Sequence, residues 1–578
     1  MSKQWKLKEQ APAELLETYP ELDPLVVQLL YNRGLTTETQ VEHFLTPEYE
    51  NQHDSFIFCD MAKACDRIWE ALFNEEKICI YGDYDADAVT ANAVMQQTFR
   101  YLGVPVQSYI PDRFTEGYGL NIEAFEKIKA DGATVVITVD CGTNSVDVAE
   151  FCTANGIDLI ITDHHEITGA VPASYALINP KNPSDVYPDS QITGVGVAYK
   201  LAKALLSHQE NVTTIKQIES TQFVPGWDKW LLDLVAIGTV ADCHSLLGEN
   251  RILVGLGLKV LAKSKWIGLR QLMLSAGVDI RANLPDTRTL GFALAPRINA
   301  AGRLEHADIA LQLLITEDPA QALVLAGSLE VINKRRQDIT MRAVSEAGEQ
   351  VAQIIDRKVL LLTNQDWPKG VVGLIAGRLA EQYKKPVLIL ERGEVESTGS
   401  ARTGNNFNIV EALKASSHLL VKFGGHKQAA GLTVRTEYIE LLYASLLDYA
   451  EKTNYETEEQ VLELDTILLP QQLTLATHEA VASFEPFGIG NPKPLFLIAD
   501  GQILKMRTVG KEASHLQLTL RFGEVIIDAI AFSMGYLVNT LTENAIIDVA
   551  GELLADEWNG SRKLKLRLVD IRILEKNI

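Results

Sequence analysis

The sequence predicts an α/β fold in which two α/β domains are joined by a long helix and followed by a small C-terminal β-barrel. Short apolar stretches alternate with helical stretches between Lys77 and Thr162 and again between Val359 and Leu390. This pattern is typical of parallel sheets covered by helices on both faces. Residues 319–356 have helical spacing and no proline after the first position. Towards the C-terminus, polar and apolar residues alternate as in half-buried antiparallel strands.

The first α/β region contains three apolar stretches that predict strands, at Lys77–Tyr81, Val135–Val139 and Leu159–Thr162. The stretch TANAVMQQTFRYLG follows the first strand with helical spacing and ends at Gly103, a common helix terminator. Each strand runs directly into polar residues. Since ligands of parallel sheets bind at the carboxyl ends of the strands, we expect a site there.

The same patterns divide the chain into five regions. The segment PELDPLVVQLLYNRGLTTETQVEHFL predicts two short helices separated by Gly34, and the polar stretch from Glu451 to Gln460 predicts a linker. The second α/β domain has predicted strands at Val359–Thr363 and Pro386–Leu390, with a helix at Gly370–Tyr383 between them. The predicted boundaries are 1–50 for a helical cap, 51–250 for the first α/β domain, 251–356 for a helical connector, 357–455 for the second α/β domain and 456–578 for the β-barrel.

The C-terminal region predicts strands with one apolar and one basic face. Lys563, Lys565 and Arg567 alternate with leucines, and the stretch from His515 to Phe522 alternates in the same way. The length of this region fits a barrel of the OB type, a fold that binds nucleic acid through charge and base stacking.

Composition limits the class of protein. The 578 residues are 47% hydrophobic and 22% charged, which indicates a globular chain of several domains. No apolar run is long enough to span a bilayer, and the first residues, MSKQWKLKEQ, contain no signal core, so we expect a soluble cytoplasmic protein. The six cysteines form no CxxC pair, which argues against a zinc site. The absence of coiled-coil heptads favours a monomer.

The net charge is −23, which argues against a generally basic, nucleic-acid-binding surface. It leaves room for a local basic groove beside an acidic metal site, because bound cations offset part of the negative charge.

The motif GDYDAD, which contains Asp83, Asp85 and Asp87, follows the first predicted strand. Three carboxylates in five residues repel one another unless cations lie among them. A solvated acidic turn is the alternative interpretation of this motif alone.

Other polar groups follow the remaining strands. Asp140 ends the second strand, the third runs into TDHHE with His164 and His165, and Asp242 lies in GTVAD. Mixed imidazole and carboxylate ligands suit Mn²⁺ and accept Mg²⁺. A pair of such ions about 4 Å apart can activate a water and stabilise the leaving oxygen of a phosphodiester.

These four motifs resemble, in order, the metal-binding motifs of the DHH phosphoesterase superfamily. Four further strings resemble the RecJ exonuclease family within it: PDRFTEGYGL, PRINAAGR, GSAR with FGGHKQAAG, and FGIGNPKPLF. The resemblance implies a DHH catalytic domain, a DHH-associated substrate-binding domain and an OB domain. It also implies a single-stranded-DNA-specific 5′–3′ exonuclease that releases nucleoside 5′-monophosphates in DNA repair and recombination. A single-strand-binding protein and a helicase are the implied partners.

The resemblance also implies roles for individual residues. Two Mn²⁺ or Mg²⁺ ions are expected on Asp83, Asp85, Asp87, Asp140, His164 and Asp242, with Asp140 bridging them. The expected catalytic residues are Asp87, Asp140 and His165, the last contacting the scissile phosphate. The expected substrate-binding residues are Arg113, Arg297, Arg303, Ser400, Arg402, Gly424, Gly425 and His426. Ion pairing is the alternative for Arg297 and Arg303, and a tight turn for the glycines.

Two positions depart from the family pattern. Many relatives have His where this chain has Tyr81, and Gly where it has Ala88. Tyr81 removes one expected ligand of the first metal, and Ala88 restricts a backbone angle that glycine can adopt.

Other functions remain open from the sequence. A DHH enzyme acting on short oligoribonucleotides or cyclic dinucleotides is the main alternative, although such relatives lack the C-terminal barrel region. An inorganic pyrophosphatase shares the metal ligands but needs a shorter chain. A catalytically inactive DNA-binding scaffold is disfavoured by the complete set of Asp and His residues.

Overall fold

The computed structural model describes residues 3–217, 223–280, 284–404, 406–456, 461–558 and 561–574. The chain forms two compact units. The first consists of Met1–Gln52, Cys243–Gly255 and Glu459–Ile578, and the second of His53–Asp242 and Leu256–Glu458. The end of the predicted linker, residues 457–460, lies outside the described residues. The five domain boundaries stay predictions.

The strands, in chain order, are β1 (Gln4–Leu7), β2 (Lys77–Gly82), β3 (Gln107–Tyr109), β4 (Ala133–Val139), β5 (Asp158–Thr162), β6 (Ala176–Ile178), β7 (Leu360–Asn364), β8 (Val387–Glu391), β9 (Glu396–Arg402), β10 (Leu420–His426), β11 (Ala429–Arg435), β12 (Val461–Leu464), β13 (Thr466–Ile467), β14 (Phe496–Val509), β15 (His515–Phe522), β16 (Val525–Ala531), β17 (Ile546–Trp558) and β18 (Ser561–Ile573). The α-helices are α1 (Ala13–Thr18), α2 (Pro24–Tyr31), α3 (Glu38–Leu45), α4 (Met61–Phe73), α5 (Ala86–Leu102), α6 (Ile122–Ala130), α7 (Val146–Asn155), α8 (Gly194–Ser207), α9 (Gln209–Lys216), α10 (Leu232–Ala241), α11 (Gly248–Leu261), α12 (Ile267–Ser275), α13 (Ala295–Leu304), α14 (Asp308–Ile315), α15 (Pro319–Ile354), α16 (Lys369–Tyr383), α17 (Ile409–Ala415), α18 (Ile439–Lys452) and α19 (Leu475–Ala482).

The first sheet of the second unit has five parallel strands in the order β3-β2-β4-β5-β6. Strands β2, β4 and β5 are buried apolar runs, as the sequence predicts for strands covered by helices on both faces, whereas the edge strand β3 is polar and only partly buried. Helix α5 packs against α8 and α10 and buries residues on nearly every side. It ends at Gly103, whose φ of +81° is in the left-handed region that favours glycine.

The second sheet of this unit is mixed, in the order β10-β11-β9-β8-β7. Strands β7 and β8 run parallel, and the remaining pairs are antiparallel. Helix α15 has 36 residues, so it is roughly 54 Å long and confirms the predicted long helix. It begins with Pro319 after Asp318, whose side chain accepts a hydrogen bond from the amide of Ala320. Among the described residues, no helix combines the length and the apolar character that crossing a bilayer requires.

The first unit contains a closed barrel in which β14, β15, β16, β18 and β17 pair in turn and β17 returns to β14. Leucines at alternate positions, such as Leu516, Leu518 and Leu566, are fully buried inside it. The predicted period of two is therefore confirmed. The outer face is less basic than predicted, because Arg567 pairs with Glu552 and Lys565 with Asp556 on the neighbouring strand β17.

The N-terminal segment confirms the two predicted helices as α2 and α3, with Gly34 between them at a φ of +72°. The prediction of a wholly helical segment is wrong for Gln4–Leu7, which pair in parallel with β12. Lys8 Nζ also lies 3.1 Å from Asp465 Oδ1, 457 positions later in the chain. Local periodicity carries no signal for a pairing between such distant segments.

Arg251 joins three separate parts of the first unit. Its buried guanidinium donates hydrogen bonds to the carbonyl oxygens of Phe44, Phe484 and Ser483, at 2.8, 2.8 and 3.3 Å. It also lies 3.7 Å from the centroid of the Phe44 ring. Burial, with a smaller effect from Arg33, lowers the pKa of Arg251 to about 9.

We expect Arg251→Ala to destabilise this unit by roughly 3 kcal/mol, because the carbonyl groups of Phe44 and Phe484 lose a buried donor and that of Ser483 a partly buried one. Hydrogen–deuterium exchange of the strands β15 and β16 measures the loss as faster exchange. The exposed Arg270→Ala is the matched control and should leave exchange unchanged. Equal protection in Arg251→Ala and wild type would contradict this role.

Candidate metal centre and phosphate-binding side chains

Three neighbouring strands place the predicted ligands at one edge of the first sheet. Asp83 follows β2, Asp140 follows β4, and the sequence from Asp163 to His165 follows β5. Because β2, β4 and β5 are adjacent and parallel, their carboxyl ends meet. Helix ends supply the remaining carboxylates: Asp85 and Asp87 at the start of α5, and Asp242 at the end of α10.

His164 lies among carboxylates from separate parts of the sequence. Its Nε2 is 3.1 Å from Asp140 Oδ1, 3.6 Å from Asp242 Oδ2 and 3.9 Å from Asp87 Oδ2. Asp140, His164 and His165 each offer a ligand atom, and these atoms lie within 4.8 Å of one another. The structure therefore brings Asp87, Asp140, His164 and Asp242 together, as the sequence predicted.

Asp87 is held by the start of helix α8. Its carboxylate accepts hydrogen bonds from the amides of Gly194 and Val195, at 2.9 and 3.0 Å. The exposed amides of a helix N-terminus stabilise a negative charge in this position. A Cβ at Gly194 would lie 2.4 Å from Asp140 Oδ1, so only glycine fits. Gly194 is a site residue that the sequence analysis missed, since no acidic or imidazole group marks it.

Asp83 is fixed by backbone amides. It accepts hydrogen bonds from Tyr84 and Gly119, at 2.7 and 3.2 Å. Tyr81, one of the two departures from the family pattern, is buried, and its hydroxyl donates to the carbonyl oxygen of Gly119 at 2.9 Å. Tyr81 thus fixes the backbone that holds Asp83. Ala88, the second departure, lies in α5, and its amide donates to Asp85 Oδ1 at 3.1 Å, so glycine's extra freedom is not needed there.

The environment of the buried carboxylates disfavours their ionised forms. Burial, followed by repulsion from Asp85, raises the pKa of Asp83 to about 7 and that of Asp242 to about 7. Burial, followed by repulsion from Asp242, raises the pKa of Asp87 well above its usual range, and burial, followed by repulsion from Asp87, does the same for Asp140. Asp140 Oδ1 is fully buried and accepts no hydrogen bond from the described residues. Hard divalent cations supply the missing positive charge, so the residues fit Mn²⁺ or Mg²⁺.

His165 is oriented by Asp163. His165 Nδ1 lies 2.7 Å from Asp163 Oδ1, and its Nε2 lies 3.2 Å from the hydroxyl of Tyr118. Burial alone would lower the pKa of His165, but the hydrogen bond and charge of Asp163 raise it to about 9. The ring is therefore protonated at neutral pH and suited to contact with a phosphate.

Arginines form the basic side of the same unit. Burial lowers the pKa of Arg303 to about 10, and the nearby charge of Arg113 adds to the effect. Arg303 donates to the carbonyl oxygen of Gly370 at 3.2 Å, and the guanidinium carbon of Arg113 lies 4.6 Å from the Tyr84 ring centroid. The charge of Arg402 also lowers the pKa of Arg303, so these predicted phosphate ligands lie near one another.

Other predicted substrate-binding residues behave differently. Arg297 Nε lies 2.6 Å from Glu330 Oε2. Arg297 therefore forms an ion pair, the alternative that the sequence analysis offered to phosphate binding. Arg402 donates to the hydroxyl of Ser400 at 2.7 Å, and both lie on β9. Gly424, Gly425 and His426 are not in a tight turn, because they form the exposed end of strand β10, next to β11. Gly425 has a φ of +145°, and a Cβ there would lie 2.3 Å from the carbonyl oxygen of Ala429.

Three family models match most of the chain. Those of the DHH family N-terminal domain, the DHHA1 domain and the RecJ OB domain match residues 77–239, 356–452 and 464–570. The single-stranded-DNA-specific exonuclease RecJ of Bacillus subtilis (strain 168) is 37% identical over 580 residues, covering 99% of this chain and 71% of that protein. The chain belongs to the RecJ family.

Two solved structures of RecJ from Thermus thermophilus agree with this assignment. The complex with Mn²⁺ has a TM-score of 0.83 at 29% identity and covers 99% of this chain and 80% of its own. The complex with Mg²⁺ has a TM-score of 0.76 at 27% identity, and the match covers 99% of this chain and 79% of that one. The predicted fold class, with DHH, DHH-associated and OB domains, and the predicted metals are confirmed. The roles of individual site residues stay predictions.

The raised pKa values predict how stability depends on pH and metal. Since Asp83 and Asp242 keep their protons up to about pH 7 when folded but lose them near pH 4 when unfolded, they destabilise the fold as pH rises from 4 to 7. Because the pKa of His165 is raised in the folded state, the fold loses further stability as pH rises from about 6.5 to about 9. In EDTA, Tm should therefore fall from pH 5 to pH 8, by roughly 2–4 °C for each kcal/mol lost.

Mn²⁺ should oppose this loss, because ionised carboxylates are its ligands. The increase in Tm on adding Mn²⁺, measured by differential scanning fluorimetry, should be larger at pH 8 than at pH 5. Asp140→Asn should reduce it at pH 8. An equal increase at both pH values would show that Mn²⁺ binds elsewhere.

Gly194→Ala tests the close contact between α8 and Asp140. The added methyl group displaces either Asp140 or the amides that hold Asp87, so we expect Mn²⁺ affinity to fall by roughly tenfold or more. Titration calorimetry measures the affinity. Gly169→Ala is the matched control, because a Cβ there has no atom within 4 Å. Wild-type affinity in Gly194→Ala would refute the proposed crowding.

Proposed function

We propose that this protein degrades single-stranded DNA from the 5′ end and releases nucleoside 5′-monophosphates. The observation that carries the proposal is a single sheet edge where Asp87, Asp140, Asp242 and His164 converge. The same unit holds the group of arginines around Arg303. Family membership supports the substrate, since the Bacillus subtilis relative is named as a single-stranded-DNA-specific exonuclease.

The acidic cluster would hold two ions. Asp83, Asp85, Asp87, Asp140, His164 and Asp242 are the proposed ligands, with Asp140 between the two sites. When bound, such ions lower the pKa of a water nucleophile and stabilise the leaving oxygen.

The chain's own residues would position the substrate. His165, protonated and held by Asp163, would donate a hydrogen bond to the scissile phosphate. Arg113 and Arg303 would neutralise the phosphates that follow, since a guanidinium binds two phosphate oxygens at once. Arg297 would contribute only after leaving Glu330.

The 5′ polarity would come from the second sheet. Arg402 and Ser400 are hydrogen-bonded to each other on β9 and would bind a terminal 5′-phosphate. Gly373 of α16 faces them, since a Cβ there would lie 3.2 Å from an Arg402 nitrogen and 3.3 Å from Ser400 Oγ. Exposed backbone at Gly424, Gly425 and His426 would contact the same end of the strand.

The barrel would bind the same DNA strand. Because ion pairs neutralise Lys565 and Arg567, base stacking and the remaining unpaired cations would contribute more than overall charge. We propose a cytoplasmic monomer that acts in DNA repair and recombination on DNA delivered by a single-strand-binding protein and a helicase.

The deciding experiment digests a long single strand labelled at its 5′ or its 3′ end, with Mn²⁺ or EDTA, beside a blunt duplex. We expect early, Mn²⁺-dependent release of the 5′ label as a mononucleotide and no digestion of the duplex. Asp140→Ala should lower the rate by at least roughly a thousandfold because the shared ligand is lost. Cleavage of dinucleotides but not of long strands would favour the small-oligonucleotide alternative, and early release of the 3′ label would reverse the polarity.

A further inference from the structure

A cavity lies at the C-terminal end of helix α5. Asp87 is in the first turn of this helix and Tyr101 in the last, so the two are roughly 21 Å apart along the axis. The cavity has a volume of about 470 Å³, within the range of small-molecule sites. Its lining includes Arg100, Lys216 and Lys265 with the aromatic rings of Tyr101, Trp227 and Trp266. None of these residues belongs to the proposed metal or phosphate sites.

The aromatic rings and lysines form a layered stack. The rings of Tyr101 and Trp227 are stacked with centroids 4.2 Å apart. Lys216 Nζ lies 4.0 Å from the Tyr101 centroid and Lys265 Nζ lies 4.3 Å from the Trp227 centroid. Since one face of each ring is already covered by the other ring, each ammonium group covers the opposite face. The two positive charges therefore stand at the two ends of an aromatic pair.

Among the described residues, these cations contact aromatic faces and a backbone oxygen rather than carboxylates. Lys216 Nζ donates a hydrogen bond to the carbonyl oxygen of Tyr101, and Lys265 Nζ lies over the rings of Trp227 and Trp266. Burial lowers the pKa of Lys216, and burial, only partly opposed by Asp233, lowers that of Lys265 to about 8. The one carboxylate of the lining, Glu317, is largely exposed and approaches Arg100 only to 4.0 Å. An acidic protein thus concentrates three cations around one cavity.

We infer that this cavity binds a nucleotide, whose phosphates draw the flexible side chains of Lys216 and Lys265 away from the ring faces and towards Arg100. Phosphate supplies a negative charge to pair with the lysines, and charge-assisted hydrogen bonds to phosphate are strong. The volume exceeds what inorganic phosphate needs, and Trp266 with Ile267 offers an apolar wall for a base. The site is independent of the metal cluster and of the arginines around Arg303.

Titration calorimetry of the full chain in EDTA tests the inference, with thymidine 5′-diphosphate, thymidine and inorganic phosphate as probes. We expect saturable binding of the diphosphate, none of thymidine, and binding of phosphate at least roughly tenfold weaker. Trp227, Trp230 and Trp266 surround Lys265, so tryptophan fluorescence should change with the same affinity.

Variants locate the bound nucleotide. Lys216→Met and Lys265→Met keep the aliphatic contact with the rings but remove the charge, so each should weaken binding by roughly tenfold. Lys265→Arg should retain most of the affinity. Lys263→Met is the matched control, because this lysine is exposed two positions away and does not line the cavity.

The outcomes separate this site from the proposed catalytic one. Asp140→Ala should bind the diphosphate like wild type, even though it would lose nuclease activity. Absence of saturable binding would overturn the inference. So would wild-type affinity in both Lys→Met variants, because the nucleotide would then occupy another site.

Discussion

The repulsion among buried carboxylates is the constraint on which the site depends. Asp87 and Asp140 are almost wholly buried and close to Asp242, an arrangement that raises the pKa values of all three. The fold tolerates it because amides at the start of α8 offset part of the charge on Asp87. Metal ions supply the rest. A sheet edge that is unfavourable by itself is therefore stabilised by bound metal.

The surrounding elements can be understood from this requirement. Parallel strands bring Asp83, Asp140 and Asp163 to one edge without any one of them being close in sequence to the others. The α8 start must approach closely, which excludes a side chain at Gly194. Asp163 then differs from its neighbours. Although burial opposes it, the contact with His165 holds the pKa of Asp163 below its usual range, so this pair remains charged.

The sequence predicted those features that repeat or cluster locally. Apolar runs indicated β2, β4 and β5, the absence of proline indicated α15, and acidic and imidazole motifs indicated the residues that meet around His164. Features made by distant contacts were not predictable in this way. Gly194 is part of the site because a side chain there would collide with Asp140. Strand β1 forms only because it pairs with β12. The partners of Arg297 and Lys565 likewise depend on tertiary placement and strand register.

The pairing of β1 with β12 also sets an order of events during synthesis. The unit that contains the barrel draws on the first residues of the chain, on Cys243–Gly255 and on residues near the end. Segments emerge from the ribosome in sequence order and domains usually fold as they appear. Here the first segment must wait, without its partner strand, until β12 has been made. The unit that holds Asp140 and His164 ends at Glu458, before the barrel strands β14 to β18, and can therefore fold before the barrel.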